Sequence, residues 1–142
     1  MIQGIDHLIV VVKDLEIHAP IERVWAALTD PKTIKGWMGA DATVEVDLRV
    51  GGRYCLFGGD TTGKFTLVKG PNTLECTWRQ GEWPKAWKDS LVRWELTARG
   101  RKTRVHLVHS RFPNKKERGA HDEGWDDYFL GPMKKWLEAG DR

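Results

Sequence analysis

Five histidines, two cysteines and one glycine-rich loop are the parts of this 142-residue sequence that could do chemistry. Their spacing excludes most of it. His106 and His109 stand three apart on a segment that reads as a strand, so they leave opposite faces and cannot hold one metal ion together. His7, His18 and His121 show no ligand spacing to an acidic partner, and no metal site is expected. Ser110 lacks the Gly-x-Ser-x-Gly elbow of a nucleophilic serine. Cys55 and Cys76 form no CxxC and have no visible activating neighbour, which reads as two reduced thiols of an intracellular protein. The run from Gly58 to Lys64 resembles a phosphate loop, but Phe65 follows where such a loop needs Ser or Thr. It reads as a hairpin. No catalytic motif stands out, and no cofactor is expected.

The aromatic residues say more. Eight tryptophans are present, and several fall at inward positions of strands or helices. Trp78 shares strand parity with Leu74 and Cys76, and Trp94 with Val92 and Leu96. His109 shares parity with Val105 and Leu107, so it points inward as a lone polar group. Trp125 and Phe129 lie four apart on one helix face. The expectation is an aromatic-lined cavity built from Trp78, Trp94, His109, Trp125 and Phe129. Such pockets are mostly apolar, with a few polar groups that orient the ligand. Close packing of the same rings into an ordinary core is the competing reading. Trp83 and Trp87 sit in the longest polar loop, where exposed aromatics would form a lid or a partner surface, and folding back on the sheet edge is the competing reading.

The elements that must position these residues follow from periodicity. Leu8 to Ile17 reads as a first strand. Pro20 opens a helix with Ile21, Val24, Trp25 and Leu28 on one face. Asp30 caps a second short helix that begins at Pro31 and stops at Gly39. From Ala42 the period changes to two, with Val44, Val46 and Leu48 alternating, and about six short strands follow, separated by Gly-containing turns, as an antiparallel meander. Asn114 caps a last helix running toward Ala139, with Trp125, Phe129, Met133 and Trp136–Leu137 as its apolar stripe. Pro132 removes a hydrogen bond within it, so a kink is expected near Tyr128–Pro132. The class is α+β, in one domain covering residues 1–142.

Charge and hydropathy narrow the function. Lys and Arg number 23 against 20 Asp and Glu, a net charge of +3. The basic clusters at Arg99–Arg104 and Lys115–Arg118 read as a solvated turn and helix end, because no nucleic-acid reading motif accompanies them. The longest apolar run, Leu8–Val12, is far short of the roughly 20 residues of a bilayer span. The N-terminus shows no signal-peptide pattern, so a cytoplasmic location is expected.

An ordered set of short motifs resembles a known family. It comprises Ile17-His18-Ala19-Pro20 with Val24-Trp25, then Thr29-Asp30-Pro31 through Trp37. Asp47 to Gly52, Gly63-Lys64-Phe65, Leu74 and Trp78 follow. His109-Ser110-Arg111-Phe112, His121 and Gly124-Trp125 complete it. The set is similar to the START-like, helix-grip (SRPBCC) superfamily, and within it to the branch named after activators of a heat-shock chaperone ATPase (AHSA-like). The resemblance implies a curved antiparallel sheet wrapped around the long C-terminal helix, with two short helices between the first and second strands. It implies no shared catalytic motif. Chaperone activators of the family carry an additional N-terminal domain, and this chain is expected to lack it.

Three functional readings follow. The first is binding of an apolar or aromatic small molecule or lipid between sheet and helix. The second is a protein-interaction module, a chaperone partner by family analogy, using Trp83, Trp87 and the basic turns. The third is a cyclase or hydrolase acting in the same cavity, with His109 and Glu95 as its only visible machinery, although strand parity puts Glu95 on the opposite face.

Overall fold

Strand alternation starts the architecture. In the computed structural model, which describes residues 9–140, β1 (Val11–Ile17) is buried at both ends and alternates between them. It pairs antiparallel with β7 (Lys102–Ser110), from Val11 opposite His109 to Ile17 opposite Thr103. Leu8, expected at the head of the strand, lies outside the described residues. Pro20 caps α1 (Ile21–Thr29) from an extended conformation. It thus precedes the first helical residue, because its ψ of 153° is not helical. Asp30 ends α1 and caps α2 (Pro31–Met38), accepting from the Thr33 amide at 3.2 Å and the Thr33 hydroxyl at 2.6 Å. Trp37 turns back from α2 and donates its indole N–H to the Ala27 carbonyl at 2.9 Å, locking the two helices together.

The remaining strands are β2 (Glu45–Val46), β3 (Arg53–Leu56), β4 (Thr61–Lys69), β5 (Thr73–Gln80) and β6 (Ser90–Arg99). With β1 and β7 they form one antiparallel sheet in the order β1-β7-β6-β5-β4-β3-β2. A register shift between Phe65 and Leu67 of β4 interrupts its pairing with β5. Such an irregularity bends a strand and adds twist, which helps the sheet curve. The alternation of Val44, Val46 and Leu48 forecasts a longer strand than is found. Only Glu45 and Val46 pair, and Leu48 and Val50 are left exposed where the chain turns through the Asp47–Arg49 ion pair.

The inner face of the sheet carries Leu74, Cys76 and Trp78, then Val92, Trp94 and Leu96, then Val105, Leu107 and His109, all buried. The C-terminal helix covers that face. It begins as α3 (Lys115–Gly124), capped by Asn114, which accepts the Glu117 amide at 2.9 Å. It widens into a π-helical segment (Trp125–Leu130) and continues as α4 (Gly131–Ala139). The irregularity expected from Pro132 is therefore a widened turn. The Gly131 amide bonds to the Asp126 carbonyl, five residues back, and the flanking dihedrals stay helical. A Cβ on Gly131 would stand 2.6 Å from the Asp126 oxygen, so this turn requires glycine. Trp136, expected on the inner stripe, is instead 36% exposed and lies under the Arg23 guanidinium.

The helix also guards the edge of the sheet. Arg118 donates to the Val10 carbonyl at 3.0 Å and Lys134 to the Glu16 carbonyl at 3.0 Å, while Glu138 accepts the His18 amide at 2.9 Å. These contacts occupy backbone groups around β1 that would otherwise invite a further strand. Among the described residues no helix is long and apolar enough to cross a membrane.

The widened turn yields a stability test. Gly131→Ala forces a methyl against a backbone carbonyl and should lower stability by about 1–3 kcal/mol in denaturant titration. An unchanged midpoint would show that the turn relaxes freely.

Candidate functional site

The five side chains singled out by parity and helical spacing come together. Trp78 stands on β5, Trp94 on β6 and His109 on β7, and Trp125 and Phe129 descend on them from the π-helical segment. Ring centroids lie 4.9 Å apart for Trp78–Trp125 and for Trp125–Phe129, 5.5 Å for Trp94–Trp125 and 5.4 Å for Trp94–Phe129. The pairs are tilted or edge-to-face, the arrangements favoured by the ring quadrupoles.

Two indole N–H groups give this cluster its order. Trp125 donates to His109 Nδ1 at 3.0 Å. The ring hydrogen of His109 then sits on Nε2 and goes to Ser90 Oγ at 2.7 Å, and Ser90 donates onward to the Trp78 carbonyl at 2.9 Å. Burial first, and the neighbouring His121 second, push the His109 pKa well below the ordinary imidazole range. Both ring nitrogens are thus engaged within the protein. Glu95 lies on the other face of the sheet, bonded to Arg93 at 3.2 Å.

The second indole, Trp78, donates to His121 Nε2 at 3.1 Å. Gln80 approaches the same nitrogen at 3.3 Å, and its amide oxygen accepts the Thr61 hydroxyl at 2.8 Å. His121 Nδ1 bonds to the Glu117 carbonyl at 2.9 Å. The Glu117 carboxylate accepts the Trp83 indole N–H at 2.9 Å, so Trp83 is buried and does not offer the exposed lid surface considered from its loop position. His121 does have an acidic partner at helical spacing, with Glu117 Oε1 4.0 Å from Nδ1. Among the described residues no group of three or more His, Cys, Asp or Glu could hold a metal ion. His7 lies outside the described residues. Cys76 is buried and its thiol is pushed up to about 12, and burial also raises Cys55. Neither is poised as a nucleophile.

Between the sheet and the helix lies a cleft of about 530 Å³. Its apolar wall is Trp78, Trp125, Phe129, Phe57 and Tyr128. Its polar side is Thr61, Gln80 and His121, with Asp60, Glu82 and Glu117 beside them. Three of the five expected residues thus face the cleft. Trp94 and His109 do not: Trp94 borders a void of about 30 Å³ between Trp78 and Tyr54, and His109 is wholly buried behind the indoles. Parity names the face of a sheet but not the depth beneath a helix. His121 was the larger omission. The signal for it is the four-residue recurrence Glu117, His121, Trp125, Phe129, which puts all four on one side of the helix. Phe57 was hidden by its neighbours. The turn was expected at Gly58-Gly59-Asp60, yet Phe57 itself holds a left-handed φ of 52° at the cleft wall. A bulky residue there stores about 1–2 kcal/mol of strain, a cost that tends to persist at functional sites.

Two substitutions separate scaffold from cleft. Unfolded His109 takes up a proton near pH 6.5, whereas the native ring resists it. This group's stabilisation is complete above pH 6.5 and falls as pH drops from there, by at most about 1.4 kcal/mol per unit, until the depressed native pKa is reached. His109→Gln should flatten the slope of stability against pH between 7 and 5, and an identical slope would contradict the assignment. Trp94→Ala should destabilise by about 3–5 kcal/mol, as loss of a core ring does. A loss below 1 kcal/mol would mean that Trp94 is not part of the packed core.

Comparison with known proteins agrees with this architecture. The family model described as Activator of Hsp90 ATPase homolog 1-like protein matches residues 18–138. An HSP90 activator from Plasmodium falciparum, PFC0360w, is 26% identical with a TM-score of 0.82, covering 91% of this chain and 96% of that one. MLL2253 from Mesorhizobium loti is 26% identical with a TM-score of 0.79, covering 94% and 99%. CalU16 from Micromonospora echinospora is 26% identical with a TM-score of 0.74, covering 90% and 65%. The uncharacterized protein C1711.08 of Schizosaccharomyces pombe is 32% identical over 66 residues, which is 46% of this chain but only 19% of that relative. The family match runs from His18 through α4 and takes in every element of the cleft, and the chain belongs to the AHSA1 family, the Activator of Hsp90 ATPase homolog 1-like proteins of the helix-grip superfamily.

Proposed function

We propose that this chain is a single helix-grip unit that binds an apolar or aromatic small molecule or lipid in the cleft between sheet and C-terminal helix. The observation that carries the reading is the cleft itself, about 530 Å³ with Trp78, Trp125 and Phe129 as its wall. That volume falls within the roughly 300–1,000 Å³ of ordinary ligand pockets, and the mix of rings with a few polar groups is the usual one. The rings are held open by their own bonds. Trp78 and Trp125 cannot swing inward to fill the space without abandoning His121 and His109 as acceptors. The unpartnered donor left behind would cost about 1–3 kcal/mol.

A second reading, a chaperone partner, is favoured by the likeness to the Plasmodium falciparum HSP90 activator. With Trp83 folded inward, the surface for such a contact reduces to half-buried Trp87 and the basic turns. The cyclase or hydrolase reading loses its machinery, since His109 is enclosed and Glu95 faces away.

Native mass spectrometry of the protein isolated gently from its own host tests the first reading. A stoichiometric extra mass, lost on denaturation, is expected. Ala120 is exposed and lines the cleft. Ala120→Trp should therefore abolish the adduct with little change in melting temperature. Retention of the adduct in this variant would place the ligand elsewhere. A bare chain that stimulates Hsp90 ATPase turnover would favour the second reading.

A further inference from the structure

We infer that the cleft selects cations: its ligand is an aromatic or polycyclic body that carries a protonated amine. The inference rests on the cleft reading above and names the ligand class of that same site. Three carboxylates, Asp60, Glu82 and Glu117, line the cleft, and among the described residues no Lys or Arg does. This runs against the protein as a whole, whose net charge is +3. The three come from separate elements, the β3–β4 turn, the β5–β6 loop and the first turn of α3.

Glu117 is the strongest of them. Its side chain is only 18% exposed, and the Trp83 indole fixes its carboxylate in place. A charge held in that setting is screened less than the exposed Asp60 and Glu82. The neighbouring imidazole, His121, has both ring nitrogens engaged elsewhere within the protein. Its Nε2 accepts from Trp78 while Nδ1 serves the Glu117 carbonyl. The aromatic faces add to the preference, because the negative face of an indole or phenyl ring attracts an ammonium group. An anionic ligand would meet three carboxylates of its own sign.

Three probes of matched shape test the inference on the full chain by isothermal titration: 2-(1-naphthyl)ethylammonium, 2-(1-naphthyl)ethanol and 1-naphthylacetate. The ammonium should bind about tenfold more tightly than the alcohol, with the acetate weakest. Glu117→Gln can still accept the Trp83 N–H. It should cut the ammonium advantage over the alcohol from about tenfold to about twofold. Glu82→Gln, at an exposed position, should give a smaller loss in the same direction. Equal affinity for ammonium and alcohol, or a preference for the acetate, would overturn the inference while leaving the cleft as a binding site. Failure of all three to bind, with the Ala120→Trp variant indistinguishable from the natural chain, would overturn both.

Discussion

Two indole N–H groups donate to two imidazole nitrogens, and the relation of sheet to helix depends on those bonds. Trp78 reaches from β5 to His121 on α3, and Trp125 reaches from the π-helical segment to His109 on β7. Each bond crosses the interface in the opposite direction. Apolar burial alone fixes how much surface two layers share, but not their register, because it is not directional. These bonds are directional, and in a site of low dielectric an unmet donor is expensive. Sliding the helix along the sheet would strand both indoles and both histidines at once.

The same bonds explain why a cleft exists. Rings free to turn would pack down on one another, as interiors reach the density of organic crystals. Here the indoles are held at fixed angles, and the space beside them stays open. The widened turn serves the same end. It presents Trp125 to β7 and leaves Tyr128 and Phe129 along the cleft, and it depends on Gly131 having no side chain. Single π-helical turns often occur at functional sites because they re-aim side chains without ending the helix. The strained Phe57 completes the wall from the opposite side, 6.3 Å from Phe129 between ring centroids.

Much of this was legible in the amino-acid order because two periods are rigid. A strand puts alternate residues on one face, so Trp78, Trp94 and His109 could be assigned to the inside before any contact was known. Helical spacing did the same for Trp125 and Phe129. Depth was not legible, since Trp94 and His109 share the face of Trp78 yet lie beneath the rings rather than beside the cleft. Nor was convergence from distant segments. Trp83 folds in to meet Glu117, 34 residues away, and Gln80 meets His121 across 41. Polar loop composition left Trp83 open between an exposed surface and folding back on the sheet, and a tertiary hydrogen bond decides for the inside. The widened turn was visible only as a proline in a helix, because whether a missing amide produces a kink or a wider turn depends on what its neighbours pack against.

The central claim is that the cleft walled by Trp78, Trp125 and Phe129 receives a ligand. The most direct measurement is the set of indole N–H resonances in a two-dimensional NMR spectrum, followed while an aromatic amine probe is added. Those of Trp78 and Trp125 should shift together and saturate, while that of Trp37, bonded to the Ala27 carbonyl between the two short helices, should stay in place. Shifts confined to Trp87 or Trp136 would put binding on the surface and contradict the account.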